Sequence, residues 1–197
     1  MESILLARHA ESEYSALGLV NGDPSVPVGL TKEGRRQARA LGEALVCENV
    51  DLCVVTEFVR TRETAELALS GRSLPRVMVP ELNDPDYGDF EGASLDEYRA
   101  WVAEHGSSVR IPGSRESRLD LVRRYAGGFR IVLERPERVA LCVLHSLPLA
   151  YVAGALEGRP PAPRMAVVGY AELVRLETAV LDRAAARLEA WCGAPTW

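Results

Sequence analysis

Short apolar runs alternate with longer stretches of helical periodicity along this chain. Residues 3–8, with the apolar run Ile4-Leu5-Leu6-Ala7, read as a buried strand. Residues 31–46 place Ala38, Leu41 and Leu45 on one helical face behind Thr31, a good N-cap. Residues 50–55 read as a second buried strand, followed by a helix over about 57–69 with Thr56 available as its cap, and 77–79 as a brief third strand. Ser94 to Glu97 fits a capping box, predicting a helix that buries Tyr98, Trp101 and Val102. A turn at Pro112-Gly113-Ser114 leads into a helix over 115–134 with Leu119, Val122, Tyr125, Phe129 and Val132 in phase. A strand at 138–144, a helix at 147–157, a strand near 167–176 and a short helix at 181–191 complete the chain. Strands that alternate with helices predict an α/β fold: a mostly parallel sheet with helices on both faces, in a single domain spanning 1–197.

Three of the strand-like runs end on polar residues. Arg8-His9 follows the first, Thr56 the second, and His145 the strand at 138–144. In a parallel sheet these tips share one edge, and ligands of open α/β sheets bind outside the carboxyl ends of strands. Arg60 sits one helical turn past Thr56. Ser146-Leu147-Pro148 reads as N-cap and helix start, aiming free backbone N–H groups at the same edge. Two histidines, two arginines and a helix N-terminus make an anion pocket suited to a phosphate monoester. A carboxyl that protonates the leaving oxygen must come from elsewhere, and the turn-rich segment 82–92 holds Asp84, Asp86, Asp89 and Glu91. The irregular stretch 10–30 follows Arg8-His9 directly and is expected to wall the pocket.

Composition narrows the field. The chain has 197 residues and a formal net charge of −5, which gives no electrostatic case for nucleic acid. Lys32 is the only lysine, so Schiff-base chemistry is improbable and phosphate contacts fall to arginine. Cys47, Cys53, Cys142 and Cys192 form no C-x-x-C pair and read as small hydrophobes in a reducing compartment. Met1-Glu2-Ser3 and the short run after it do not make a signal peptide, and the apolar stretch 139–156 is interrupted by His145, Ser146 and Pro148. The expectation is a cytoplasmic protein without a membrane span. A zinc site built from His9, His145 and Asp84 is disfavoured by the cationic Arg8 and Arg60 beside it.

Leu6 to Ser12 resembles the R-H-G-E signature of the histidine phosphatase superfamily, phosphoglycerate mutase-like branch. The resemblance continues in order through Leu30-Thr31-Lys32-Glu33-Gly34 with Gln37-Ala38, Thr56 to Ala65, Leu82 to Gly92, Pro112-Gly113 with Glu116-Ser117, and His145-Ser146. It implies a phosphatase for small phosphorylated substrates with no cofactor and no metal. His9 would be the nucleophile, Arg8, Arg60, His145 and the Ser146 N–H would hold phosphoryl oxygens, and Asp84 would be the acid. Four departures stand out. Asp84 replaces the usual glutamate, with Asp86 and Glu91 as alternative acids. Ser15 stands where asparagine is frequent, with Asn21 as a substitute from the loop. Ser146 replaces glycine, and Arg62 is an additional cation. A phosphoglycerate mutase using the same phosphohistidine is the second reading, although the long insertion of those mutases is missing. A non-catalytic phospholigand-binding module is the third. Specificity is expected from 10–30 and 92–113, with Arg62, Arg110 or Arg115 as contacts for a second anionic group. The residues do not decide the oligomeric state.

Overall fold

The computed structural model describes residues 1–197. Five strands form one sheet in the order β3-β2-β4-β1-β5. The strands are β1 (Ser3–Arg8), β2 (Leu52–Val55), β3 (Arg76–Met78), β4 (Val139–Leu144) and β5 (Leu173–Glu177). The first four run parallel, and β5 pairs antiparallel with β1 at the edge. Seven helices accompany them: α1 (Glu13–Ala16), α2 (Lys32–Ala44), α3 (Val59–Ala68), α4 (Leu95–Glu104), α5 (Arg118–Leu133), α6 (Ser146–Leu156) and α7 (Thr178–Gly193). None of them is long and apolar enough to cross a membrane.

The central strands are apolar throughout because both of their faces are covered. Ile4, Leu6, Leu52, Val54, Ala140 and Cys142 pack with α5, α6 and α7. The alternate residues Leu5, Ala7, Cys53, Val55, Leu141 and Val143 pack with α2 and α3. Period-two alternation therefore feeds two cores, as a parallel sheet demands. β1 and β4 are neighbours with Arg8 level with Leu144. The chain leaves β1 toward α2 on one face and leaves β4 into α6 on the other. That divergence opens a crevice at the carboxyl ends of these two strands.

Several expected boundaries shift. The capping box lies at the start of α5, where Ser117 and Asp120 bond reciprocally, so that helix begins at Arg118 rather than 115. Ser94 does cap α4, but it accepts from the Asp96 N–H and forms no reciprocal pair with Glu97; Trp101 is only half-buried. β5 begins at Leu173, later than 167, because 167–171 lies against the end of β1: the Ala171 N–H bonds to the Arg8 carbonyl. α7 starts at Thr178 and runs for 16 residues, longer than the short helix expected. The stretch 10–30 is not wholly irregular, since it contains the single turn α1, capped by Ser12.

Candidate active site

His9, Thr56 and His145 directly follow β1, β2 and β4, which are adjacent in the order β2-β4-β1. The His9 N–H bonds to the Leu144 carbonyl at 2.7 Å, so the first histidine is locked to the strand that presents the second. The two imidazole centroids lie 5.3 Å apart, edge to face.

His9 is buried, and its Nδ1 lies 2.7 Å from the Ala10 carbonyl oxygen. A carbonyl only accepts, so Nδ1 carries the hydrogen and Nε2 of the neutral ring keeps its lone pair. Burial, then the charges of Arg60, His145 and Arg8, hold His9 well below its ordinary pKa. The ring is therefore neutral at pH 7, as a nitrogen nucleophile must be. His145 is fully buried and is pushed down to about 4 by burial, against the opposing pull of Asp84. Its Nε2 is 2.9 Å from the Thr56 hydroxyl, which serves either tautomer because it can donate or accept. Its Nδ1 is 3.3 Å from both Arg60 Nη2 and Asp84 Oδ2.

Arg60 enters from the first turn of α3. It donates to Asn21 Oδ1 at 2.6 Å, to the Asn21 carbonyl at 3.0 Å and to Asp84 Oδ2 at 2.8 Å, with its guanidinium 4.1 Å from the centre of the Phe58 ring. Arg8 lies 3.9 Å over the Tyr170 ring and donates from Nη1 to the Val168 carbonyl. Its buried Nε–H has no hydrogen-bond partner within the protein. Burial opposes the charge on Asp84, but His145 and Arg60 outweigh it and hold its carboxyl below the usual carboxylate range.

Of the three candidate acids, only Asp84 lines the cavity. Asp86 is exposed and accepts from the Gly88 N–H, while Glu91 accepts from Asn21 Nδ2 and the Gly22 N–H. Asn21 is therefore engaged on both ends, its oxygen on Arg60 and its amide hydrogens on Glu91 and the Asp23 carbonyl. Ser15 lines the cavity, with its hydroxyl 2.8 Å from that of Ser12.

Two expected caps are displaced. Phe58, not Thr56, precedes α3, leaving the Thr56 hydroxyl for His145. His145 occupies the N-cap of α6 and makes no side-chain cap bond. Ser146 is thus the first helical residue, and its hydroxyl accepts from the Val168 N–H. The N–H groups of this first turn remain available to an anion.

The cavity measures about 240 Å³. Its walls come from 12–21, from 95–99, from Arg118 at the start of α5, and from 163–170. The last two were not foreseen. Arg62, Arg110 and Arg115 are exposed and do not line it. Any signal for Arg118 lay only in its place after Glu116-Ser117. The segment 163–170, expected partly as strand, carried none.

The arrangement joins a bare imidazole nitrogen, two arginines, a second imidazole, free helix N–H groups and one carboxyl. Asp84, His9 and His145 each bring one ligand-type atom to within 4.8 Å of the others, but Arg60 already occupies the carboxylate and competes with any cation. The sequence profile of the histidine phosphatase superfamily (branch 1) matches residues 4–191. The adenosylcobalamin/alpha-ribazole phosphatase of Salmonella typhimurium is 34% identical over 116 residues, which cover 55% of this chain and 56% of that protein. The match thus spans little more than half the length of that relative. The uncharacterized phosphatase PhoE of Bacillus subtilis is 28% identical over 162 residues, covering 82% of this chain and 80% of that one. The crystal structure of the alpha-ribazole phosphatase from Shigella flexneri superposes with a TM-score of 0.74 at 27% identity, over 88% of this chain and 89% of the other.

Proposed function

Because this chain belongs to the histidine phosphatase superfamily, we propose that it hydrolyses small phosphate monoesters through a phosphohistidine on His9. The carrying observation is the buried neutral imidazole whose Nδ1–H is committed to the Ala10 carbonyl, leaving Nε2 bare beside Arg8, Arg60 and His145. Nε2 attacks phosphorus as the bond to the leaving oxygen breaks. Arg8, Arg60, His145 and the first N–H groups of α6 hold the three remaining phosphoryl oxygens. Asp84 delivers the proton to the leaving group, then takes one from the water that attacks phosphorus and frees His9. The low pKa of the resting Asp84 is consistent with this role: a bound phosphate dianion draws Arg60 away from the carboxylate and adds negative charge, and both effects raise it. Asn21 serves by fixing Arg60. Ser15 serves at the cavity wall.

The test is rapid-quench labelling with a ³²P-phosphate ester. Wild type accumulates an acid-labile, base-stable label and releases free phosphate. His9→Ala loses the label and at least about a thousandfold in kcat. A fully active His9→Ala overturns the reading, and release of an isomerised phosphate ester in place of free phosphate assigns the chain to the mutases.

A further inference from the structure

Arg118 is the first residue of α5 and is 4% exposed, yet no carboxylate pairs with it. Its Nε and Nη2 donate to the Tyr151 hydroxyl at 3.0 and 2.5 Å, and Nη1 reaches the Tyr98 hydroxyl at 3.4 Å. Burial raises the pKa of both phenols, so these acceptors are neutral and leave the guanidinium charge uncompensated. Two other arginines of this part of the molecule have acids, Arg60 with Asp84 and Arg124 with Glu116; Arg8, which has none, stands beside His9 at the phosphoryl site. A buried cation without a counter-ion is costly, and proteins ordinarily pair it. Arg118 and Tyr98 line the same cavity as Arg8, His9 and Arg60. The reciprocal Ser117–Asp120 cap fixes the helix start that carries Arg118. Arg99, also on the wall, is more exposed and has Asp96 of the same helix 3.9 Å away.

Charge balance points the same way. With Asp84 protonated for its acid role, the cavity wall carries, besides the more exposed Arg99, the three positive charges of Arg8, Arg60 and Arg118. The phosphate dianion of a monoester neutralises two of them, and the charge of Arg118 is left for another anionic group.

We propose that Arg118, held by Tyr98 and Tyr151, is a second anion subsite, and that the substrate is a small phosphate monoester bearing another negative group, a carboxylate or a second phosphate, at the end remote from the scissile bond. This inference rests on the phosphatase reading above. It is tested with three series of alkyl phosphates, two to four carbons long, whose far end is a hydroxyl, a carboxylate or a second phosphate. In wild type, kcat/KM at the best chain length is about tenfold or more higher for an anionic end than for the hydroxyl. In Arg118→Met that ratio collapses to within about threefold, and Arg118→Lys keeps part of it. Preference for the carboxylate over the bisphosphate marks a subsite for a single charge, and the reverse order marks a phosphate site. Because the readout is a ratio within one protein, loss of folded material does not mimic it. A wild-type ratio near one at every length overturns the inference, as does an Arg118→Met variant that lowers all three series in parallel. Failure to hydrolyse p-nitrophenyl phosphate sinks the phosphatase reading instead; hydrolysis of it without end-group preference sinks only this inference.

Discussion

Acidification from pH 7.5 to pH 5 should destabilise this protein, and the active-site histidines should be the cause. His145 is fully buried, and burial lowers it from 6.5 to about 4. The folded state thus binds its proton less readily than the unfolded chain does. The stabilisation this represents is complete above the unfolded value of 6.5 and is lost as pH falls from there toward 4. At pH 5 the unfolded histidine is almost fully protonated and the folded one still mostly neutral, so the loss is about 2 kcal/mol from this residue alone. His9 is shifted in the same direction by burial and by Arg60, and adds to the loss. Asp84 does not contribute in this window, because its carboxyl is held below 3.8 and its stabilisation disappears only at lower pH. Urea unfolding in phosphate-free buffer at pH 7.5, 6.5, 5.5 and 5.0 measures the effect. With a urea m-value of roughly 2 kcal/mol/M, the midpoint should fall by on the order of 1 M, and His145→Asn should flatten part of the slope. A midpoint level across this range, or a His145→Asn profile parallel to wild type, would refute the assignment of neutral buried rings. The same depression keeps His9 a nucleophile at neutral pH, so the stability measurement also bears on the chemistry.

Two further outcomes follow from the site. Asp84→Asn should lower kcat by about a hundredfold or more for alkyl phosphates and far less for p-nitrophenyl phosphate, whose leaving group needs little help from an acid; equal losses on both substrates would remove Asp84 from proton transfer. Gly22→Ala should destabilise by about 2 kcal/mol or more and reduce activity, since the new Cβ would sit 2.0 Å from the Pro85 carbonyl oxygen and 2.9 Å from the Tyr87 N–H nitrogen, prying the Asn21 loop from the Asp84 turn; a thermal melt unchanged from wild type would show that the loops yield.

Much of the fold could be read from local pattern. β1, β2 and β4 are buried on both faces, so their residues are apolar without interruption, and α2 and α5 keep one apolar stripe because each packs one side on the sheet. Boundaries were harder. Ser94 and Ser117 are both serines followed three residues later by an acid, yet only Ser117 closes the reciprocal box. The segment 167–171 has β-favouring valines, but its backbone is taken up elsewhere: Val168 bonds to Arg8 and Ser146, and Ala171 sits at φ 52. A tertiary partner overrode propensity there, as it commonly does for short strands.

The site divides along the same line. His9 and His145 were visible because chemistry at a strand tip is a one-dimensional signal, an apolar run and then a charged or titratable residue, and Arg60 because it lies one helical turn past such a tip. Asp84 was visible only as one of several acids, and what separates it from Asp86 and Glu91 is three-dimensional, since Arg60 and His145 reach one carboxyl and not the others. Arg118 gives no local warning beyond its place after Glu116-Ser117. Along the chain it is one arginine among many, at a helix start, between a serine and a leucine. Only the packed structure sets it between two phenols from α4 and α6 without a counter-ion. An excess of arginine thus hides from composition which guanidinium the fold buries without an acid. The charges that matter to a substrate are those the fold has buried and left unbalanced, and that imbalance exists only once distant helices have closed around it.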